Sequence, residues 1–530
     1  MEKRLILAIA FSILIIVTFQ YFTPKPPIAP SVEAPVMAAG KAARIEMKEA
    51  VPASPVIPRV DEKKLVVETD RLILTFSNIG GAIKEIKLKD YKDLKTGEPF
   101  KLAEIFKPED YILAVSSVAP KTIPAGMDYS VSTEDGAVIY SAKAEGLEIT
   151  KKYIIHKSNY NIELQLLIKN TDAKTQDIAY RIIAGAGLIE TAEADKHLIE
   201  VASKIDGKPV KFKRIKPGEI VINPGMVNWT TLKSKYFSVI LKPLTQTRSG
   251  FYTEPSVGEF VAGVESDIIS IPPATSIENK YILFAGPSHI PVLREAGYEL
   301  EETIDYGFFG GISKALLAAL RALYNVVHSW GVAIILLSVL LNVLTFPLTM
   351  KSFKSMQKMQ ELHPQMEKLK IQHKDNPQKL NKEIMELYKK YKINPLSGCL
   401  PMLLQMPIFV ALYQALMKSL ELRSASFLWI KDLSSPDAVP LPFALPIVGM
   451  SLNILPLIMV GAMVLQQKIS TKSMGSAVTE EQKQQQKMML VIMPIMFGFI
   501  FYNMPSGLVL YWVVNTILTI IEQGAILKKT

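Results

Sequence analysis

The chain has 530 residues, 49% of them hydrophobic and 21% charged, with a net charge of +10 and a mean hydropathy of +0.21. Disorder along the whole length is excluded, because disorder needs low hydrophobicity, and the gathering of apolar residues into blocks points to a membrane protein rather than one large soluble core. The single cysteine, Cys399, excludes an intramolecular disulfide, a Cys-based zinc cage and a Cys-ligated iron–sulfur cluster.

The first block, Leu5 to Phe22, is eighteen residues without a charge, preceded by Lys3 and Arg4. A cleavable signal peptide is the competing reading, but its apolar core is normally shorter and followed closely by small residues. Residues 1–22 are therefore expected to be an uncleaved anchor with a cytoplasmic N-terminus. Residues 23–60 hold eight prolines and eight alanines and read as an extended linker. From 61 to 288 the pattern changes to strands. Tyr160–Leu166 alternates polar and apolar, and similar runs occur at Leu72–Phe76, Leu147–Ile155 and Tyr236–Leu241. Turn signals such as Asn78-Ile79-Gly80-Gly81 and Lys169-Asn170-Thr171-Asp172 separate them. A β-sandwich is expected.

Within 305–328, Phe309, Ile312, Leu316, Leu320, Leu323 and Val327 follow three-and-four spacing, with Lys314, Arg321, Asn325 and His328 opposite. This describes an amphipathic helix on a membrane surface, the alternative being a helix packed on the β domain. Five further uncharged blocks follow, at about Trp330–Met350, Leu400–Met417, Pro446–Gln466, Met488–Tyr502 and Leu508–Ile521. The second span is thus expected at 329–350 and the remaining four within 396–528. Six spans put both termini on one side. The segment 351–395 carries eleven lysines against five acids, a net of +6. Lys468, Lys472, Lys483 and Lys487 mark a second basic loop. The positive-inside rule makes these loops cytoplasmic and the β domain extracytoplasmic. The basic charge is then mostly topological, and no zinc-finger or RNP pattern supports direct nucleic-acid binding. Met356, Met359, Leu362, Met366 and Leu369, then Leu380, Ile384 and Leu387, repeat at helical spacing on either side of His373–Pro377. A helical hairpin is expected there, its methionines forming either the seam or a contact surface.

Little resembles an active site. The six histidines (His156, His197, His289, His328, His363 and His373) are scattered and are assigned no role. There is no H-E-x-x-H, G-x-S-x-G or G-x-x-x-x-G-K-[ST] motif. The spans carry no Asp, Glu, Lys or Arg in their interiors, which disfavours an ion-coupled carrier. No catalytic residue, metal site or cofactor is expected. One polar feature stands out: Ser338, Asn342, Thr345 and Thr349 are spaced four, three and four and share a helical face. Asn342 lies nine residues from Lys351, about 13 Å along a helix, in the cytoplasmic half of a bilayer. Gln405 in the third span and Trp512, Asn515, Thr516 and Thr519 in the last add to it. Interhelical hydrogen bonding is one reading; a wet groove opening to the cytoplasm is the other.

Asn394-Pro395-Leu396-Ser397-Gly398-Cys399-Leu400-Pro401, Gln405-Met406-Pro407-Ile408-Phe409, Phe346-Pro347-Leu348-Thr349 and Pro505-Ser506-Gly507-Leu508-Val509-Leu510-Tyr511-Trp512 together resemble the YidC/Oxa/Alb membrane-protein insertases, in the form found in Gram-negative bacteria. The resemblance covers about Asp305 to Lys528. It implies an α-helical polytopic inner-membrane protein: an anchor, a five-helix insertase core and a periplasmic β-supersandwich. It implies a non-enzymatic insertase and chaperone that inserts, folds and helps assemble inner-membrane proteins, alone or with the Sec translocon. Nascent membrane proteins, lipids and the ribosome are the implied partners, the ribosome weakly because Lys528-Lys529-Thr530 is not a long basic tail. The implied substrate groove comprises Ser338, Asn342, Thr345, Thr349, Gln405, Tyr511, Trp512, Asn515 and Thr519. Family members usually carry an arginine where this chain has Asn342. The alternatives are an envelope-binding protein merely anchored by its spans, and a passive channel.

Overall fold

The computed structural model describes residues 61–528 except 94–95, 120–122, 190–197, 213–215, 257, 374–375, 392–399, 446–448 and 474–479. The expected anchor at 1–22, the linker at 23–60 and the stretch Asn394–Cys399 lie outside the described residues.

Alternation with period two builds the N-terminal part. In the strand Asn161–Asn170, Ile162, Leu164, Leu166 and Ile168 are fully buried while Leu167 and Lys169 are exposed, as expected of a sheet with one face covered. This strand lies in a nine-stranded antiparallel sheet. Its neighbours are Leu147–Ile155 and Ser276–Pro287, and Leu164 faces Tyr153 on one side and Tyr281 on the other. Residues directly opposite share a face, so Tyr153 and Tyr281 point the same way. Tyr153 meets Phe76 of a four-stranded sheet, ring centroids 5.0 Å apart. The Tyr281 hydroxyl lies 3.0 Å from that of Tyr180 in a six-stranded sheet. Both smaller sheets therefore cover one face of the large one, and the domain is a β-sandwich. The expected strands at Leu72–Phe76, Leu147–Ile155, Tyr160–Leu166 and Tyr236–Leu241 appear as Leu72–Ser77, Leu147–Ile155, Asn161–Asn170 and Phe237–Pro243.

The Asn78–Gly81 turn is held by its glycines. Gly80 and Gly81 have φ of 76° and 51°, and a Cβ on Gly81 would stand 2.9 Å from the Tyr129 ring. That closeness brings the turn's carbonyls inside the sandwich. Lys151, wholly buried, donates to Gly80 O at 2.7 Å and Leu113 O at 2.8 Å, and Tyr153 donates to Gly81 O at 2.7 Å. Burial pushes the Lys151 amine down to about 7.

Nine α-helices follow among the described residues: α1 Ile290–Ala296, α2 Gly310–Val327, α3 Trp330–Glu361, α4 His363–Gln372, α5 Pro377–Lys390, α6 Leu400–Met417, α7 Ile454–Ser473, α8 Glu480–Phe501 and α9 Ser506–Lys528. Helix α2 is the expected amphipathic helix, with its buried face rotated. Ser313, Leu316, Leu317 and Leu320 are buried, whereas Ile312 is 40% exposed. The small Ser313 lets α6 approach and donates to Ala411 O at 2.9 Å. The helix packs on α3 and α6, not on the β-sandwich.

Three boundaries differ from expectation. Helix α3 does not stop at Met350 but runs 32 residues to Glu361, about 48 Å at ~1.5 Å per residue. The break comes only where Pro364 opens α4. The hairpin proper is α4–α5, antiparallel: Gln365 bonds Tyr391, Tyr388 bonds Met366, and His373 Nε2 lies 3.0 Å from Glu383. Asn376 caps α5 through Lys379 N. The block expected to begin at Pro446 becomes helical only at Ile454. A β-hairpin, Val439–Leu445 with Gly449–Leu452, precedes it, because Pro440 and Pro442 suit a strand edge and not a helix interior. Asp437 Oδ2 then accepts from Ile454 N and Leu455 N, placing a negative charge at the start of α7.

An ion cluster joins the sandwich to the helices. Glu421, just beyond α6, accepts from Arg321 Nε of α2 at 2.6 Å, and His289 Nε2, at the sandwich exit, lies 2.9 Å away. Burial alone would push the Glu421 carboxyl up, but the His289 hydrogen bond and the His289 and Arg321 charges hold it down at about 2. Lys235 donates to Ser434 O at 3.3 Å and Arg423 to Lys92 O at 3.1 Å across the same junction. The sandwich thus meets α2 and the segment after α6, beside the start of α3 where Tyr324 stacks on Trp330, and the α4–α5 hairpin lies beyond the other end of α3.

A carboxylate held below its ordinary value stabilises the fold above pH 4.5, and that contribution is lost as pH falls from there through about 2. Thermal unfolding in detergent should show this loss in the native chain and not in Glu421→Gln. At neutral pH the variant, which leaves Arg321 without its carboxylate, should be destabilised by about 3 kcal/mol.

Candidate functional site

Among the described residues two helical stretches, Trp330–Ser355 and Ser506–Ala525, are long and apolar enough to cross a membrane, and Leu404–Met417, Ile454–Ser470 and Leu490–Phe501 are shorter apolar helices. Only 28% and 39% of the two long windows are buried, whereas the core helix of a soluble protein would be mostly buried. Val343, Leu344, Ile495, Phe499 and Ile521 are each more than half exposed. Such surfaces suit lipid and not water.

Against this apolar exterior, polar side chains gather where α3, α6, α7 and α9 meet. The hydroxyls of the α3 stripe do not bridge helices. Ser338 donates to Ile334 O at 2.7 Å, Thr345 to Leu341 O at 2.9 Å, and Thr349 to Thr345 O at 3.1 Å. On α9, Thr516 donates to Trp512 O and Thr519 to Asn515 O, both at 2.8 Å. Each proton is satisfied inside its own helix, four residues back. Ser338 is fully buried; Asn342, Thr345 and Thr349 are partly exposed.

The amides behave differently. Asn342 Nδ2 donates to Asn515 Oδ1 across α3 and α9 at 3.4 Å, near the outer limit for a hydrogen bond. Gln405 Nε2 donates to the buried Tyr511 hydroxyl across α6 and α9 at 2.6 Å. Trp512 packs among Phe409, Phe497 and Phe501, with centroids at 5.1, 5.5 and 5.1 Å. Helix α9 therefore turns Asn515 toward α3, Tyr511 toward α6 and Trp512 toward α8. Pro347, Pro407 and Pro494 lie inside α3, α6 and α8, and each removes one N–H donor from its helix. A further pair escaped the sequence reading: Ser470 of α7 donates to Gln523 of α9 at 3.0 Å. Gln523 continues the four-residue spacing of Asn515 and Thr519, which was the available signal. His289, given no role from sequence, belongs to the junction cluster.

Among the described residues no group of His, Cys, Asp and Glu is placed to hold a metal ion. The meeting place is polar, uncharged and partly exposed. It can offer hydrogen bonds; it contains no general base or activated nucleophile in its polar set.

Residues 322–530 match the family described as 60Kd inner membrane protein, and residues 64–319 match the YidC periplasmic domain. The chain is 34% identical to the membrane protein insertase YidC of Geotalea daltonii, over 100% of this chain and 99% of the relative. It is also 34% identical to that of Geotalea uraniireducens, with the same coverage. A crystal structure of an active YidC insertase with its first transmembrane domain resolved covers 87% of this chain and 92% of its own, with 18% identity and a TM-score of 0.36.

The Gln405–Tyr511 bond is short and buried, so a double-mutant cycle with Gln405→Leu and Tyr511→Phe should give a coupling of about 1 kcal/mol. Unfolding in mixed micelles measures it. A coupling near zero would mean that the pair does not hold α6 to α9.

Proposed function

We propose that this chain, which belongs to the YidC family of membrane protein insertases, works through a groove centred on Asn342 and Asn515 that opens to the cytoplasm and to lipid. It inserts membrane proteins without enzymatic chemistry. The anchor at 1–22 and the five apolar helices α3, α6, α7, α8 and α9 make six spans. The lysine-rich segment around α4–α5 lies in the cytoplasm with both termini, and the β-sandwich lies in the periplasm. Charge supports this orientation, because the basic segment follows one end of α3 while the sandwich meets α2 and the segment after α6, beside the other end.

The observation that carries the groove is the long Asn342–Asn515 contact between helices whose outer faces are apolar. A bond at the edge of the allowed range is easily exchanged for water or for a polar group of a substrate. The neighbouring hydroxyls need no substrate to be satisfied, yet keep acceptor capacity for one. The groove therefore tolerates being empty and rewards being filled. An unpaired polar group in hydrocarbon costs several kcal/mol. Partners halfway across shorten the purely apolar path for a polar tail. Burial of the substrate's apolar helix in lipid then drives release sideways. The substrate is a nascent inner-membrane protein, arriving alone, from a ribosome or beside the Sec translocon, and the same groove serves folding and assembly.

Asn342→Leu should slow insertion of substrates with polar translocated tails about tenfold, the equivalent of one lost hydrogen bond, and leave strongly apolar substrates nearly unchanged. Reconstituted vesicles with both substrate types measure this, and equal rates for the variant and the native chain on polar tails would refute the groove. Asn342→Arg should fold and insert, since a hydrated groove accepts a cation. Loss of the folded protein in that variant would mean that the site is dry.

A further inference from the structure

The segment after α6 makes a two-residue turn. Phe427 N donates to Ile430 O and Ile430 N to Phe427 O, both at 2.9 Å, which leaves Leu428 and Trp429 at the tip. Leu428 takes a φ of 53°. Two-residue turns fill such a position with Gly, Asn or Asp, and a leucine there holds backbone strain. The strained leucine is not turned inward: Leu428 is 75% exposed and Trp429 41%. Trp429 Nε1 donates to Asp437 Oδ2 at 3.1 Å, so the one polar atom of the indole is satisfied and the rest of the ring is carbon. Lys431, also exposed, follows two residues on. An aromatic ring beside a lysine is the composition of a membrane–water boundary.

The flanks of the turn fix its level. Phe427 packs over Gly331 of α3, where a Cβ would run into its ring. Asp437, besides holding Trp429, accepts from Ile454 N and Leu455 N at the start of α7. Leu433 O accepts from Gly507 N at the start of α9. Arg423 and Ser434 of the same segment bond to the sandwich. The turn therefore stands where apolar helices give way to the aqueous sandwich. A stable protein interface takes about 800 Å² per partner. One leucine and part of a tryptophan offer much less, whereas insertion into lipid gains with each apolar group buried. We propose that the Leu428–Trp429 turn is a fixed wedge in the bilayer leaflet on the sandwich side, with Leu428 among the acyl chains and Trp429 at the headgroup boundary. Tied to the starts of α3, α7 and α9, it sets the depth of those starts. The wedge rests on the spans proposed above and not on the groove.

Electron paramagnetic resonance of the full chain in phosphatidylcholine vesicles tests it. The single cysteine is removed by Cys399→Ser. A nitroxide is then attached through Leu428→Cys, through Val343→Cys on the exposed face of α3, or through Ser132→Cys on an exposed strand of the sandwich. The label at position 428 should meet oxygen more readily than a water-soluble nickel chelate, at a depth of about 5–10 Å. The label at position 132 should meet the chelate, and the label at position 343 should lie deeper than both. A label at 428 as open to the chelate as the one at 132 would overturn the wedge. So would one closed to both reagents or broadened by a second label, because residues 1–22 or a second copy would then cover the turn. A label at 343 open to the chelate would instead overturn the span, so the two failures are told apart. Should Leu428→Cys not fold, Trp429 reports from the unlabelled chain. Lipid brominated near the headgroup end of its acyl chains should quench the native chain more than Trp429→Phe, and equal quenching would overturn the wedge. Leu428→Asn suits the positive φ and should fold with that quenching reduced; unchanged quenching would remove Leu428 from the wedge.

Discussion

A polar group in hydrocarbon has no water to fall back on, and that single constraint sorts the polar side chains where α3, α6, α7 and α9 meet. Hydroxyls are short enough to reach the carbonyl one turn back, so Ser338, Thr345, Thr349, Thr516 and Thr519 close on their own helices. Amides are longer and carry both donors and an acceptor. They must look across to another helix, and three such contacts among the described residues converge on α9: Asn342 to Asn515, Gln405 to Tyr511, Ser470 to Gln523. Position along α9 then distinguishes them. The Tyr511 bond is short and buried and serves as a clamp. The Asn515 bond is long and half-exposed and can be surrendered.

The periplasmic part obeys a different constraint, the need to cover one face of a large sheet. Nine strands expose too much apolar surface for one partner sheet, and the four- and six-stranded sheets divide the task. Two groups meet across the seams of this arrangement with little freedom: Tyr180 on Tyr281, and Lys151 on the carbonyls of the Asn78–Gly81 turn and Leu113. The sandwich is tied to the helices by polar contacts that include His289 to Glu421, Lys235 to Ser434 O and Arg423 to Lys92 O.

Much of this was legible in the sequence, for reasons that differ by element. Period-two alternation located the strands at Leu72, Leu147, Tyr160 and Tyr236 because each has one wet face. The uncharged blocks located the apolar helices, and the Ser338–Thr349 stripe marked the face of α3 from which Asn342 reaches α9. What could not be read was anything set by partners far along the chain. Asn342 and Asn515 are 173 residues apart, and spacing on one helix does not say which neighbour faces it. The buried face of α2 turned toward Ser313 because α6 needed a small residue, a fact that resides in α6. The length of α3 was hidden because charge marks where a helix leaves the bilayer, not where it stops being a helix.

The two polar regions on the helices also differ in kind, and depth accounts for the difference. The inner one is neutral: amides and hydroxyls, with no formal charge to desolvate when a substrate is absent. A fixed cation there would need constant hydration; Asn342 needs only a partner, and Asn515 supplies one. The outer region, at the junction with the sandwich, is charged, with Glu421 held between Arg321 and His289, where charge is cheaper to maintain than in hydrocarbon. In the proposed groove a polar tail moving outward would meet neutral hydrogen bonds first, where a strong charge would hold it, and charge only beyond the apolar barrier. Binding that is weak in the middle and ionic only at the rim lets a segment pass without being trapped.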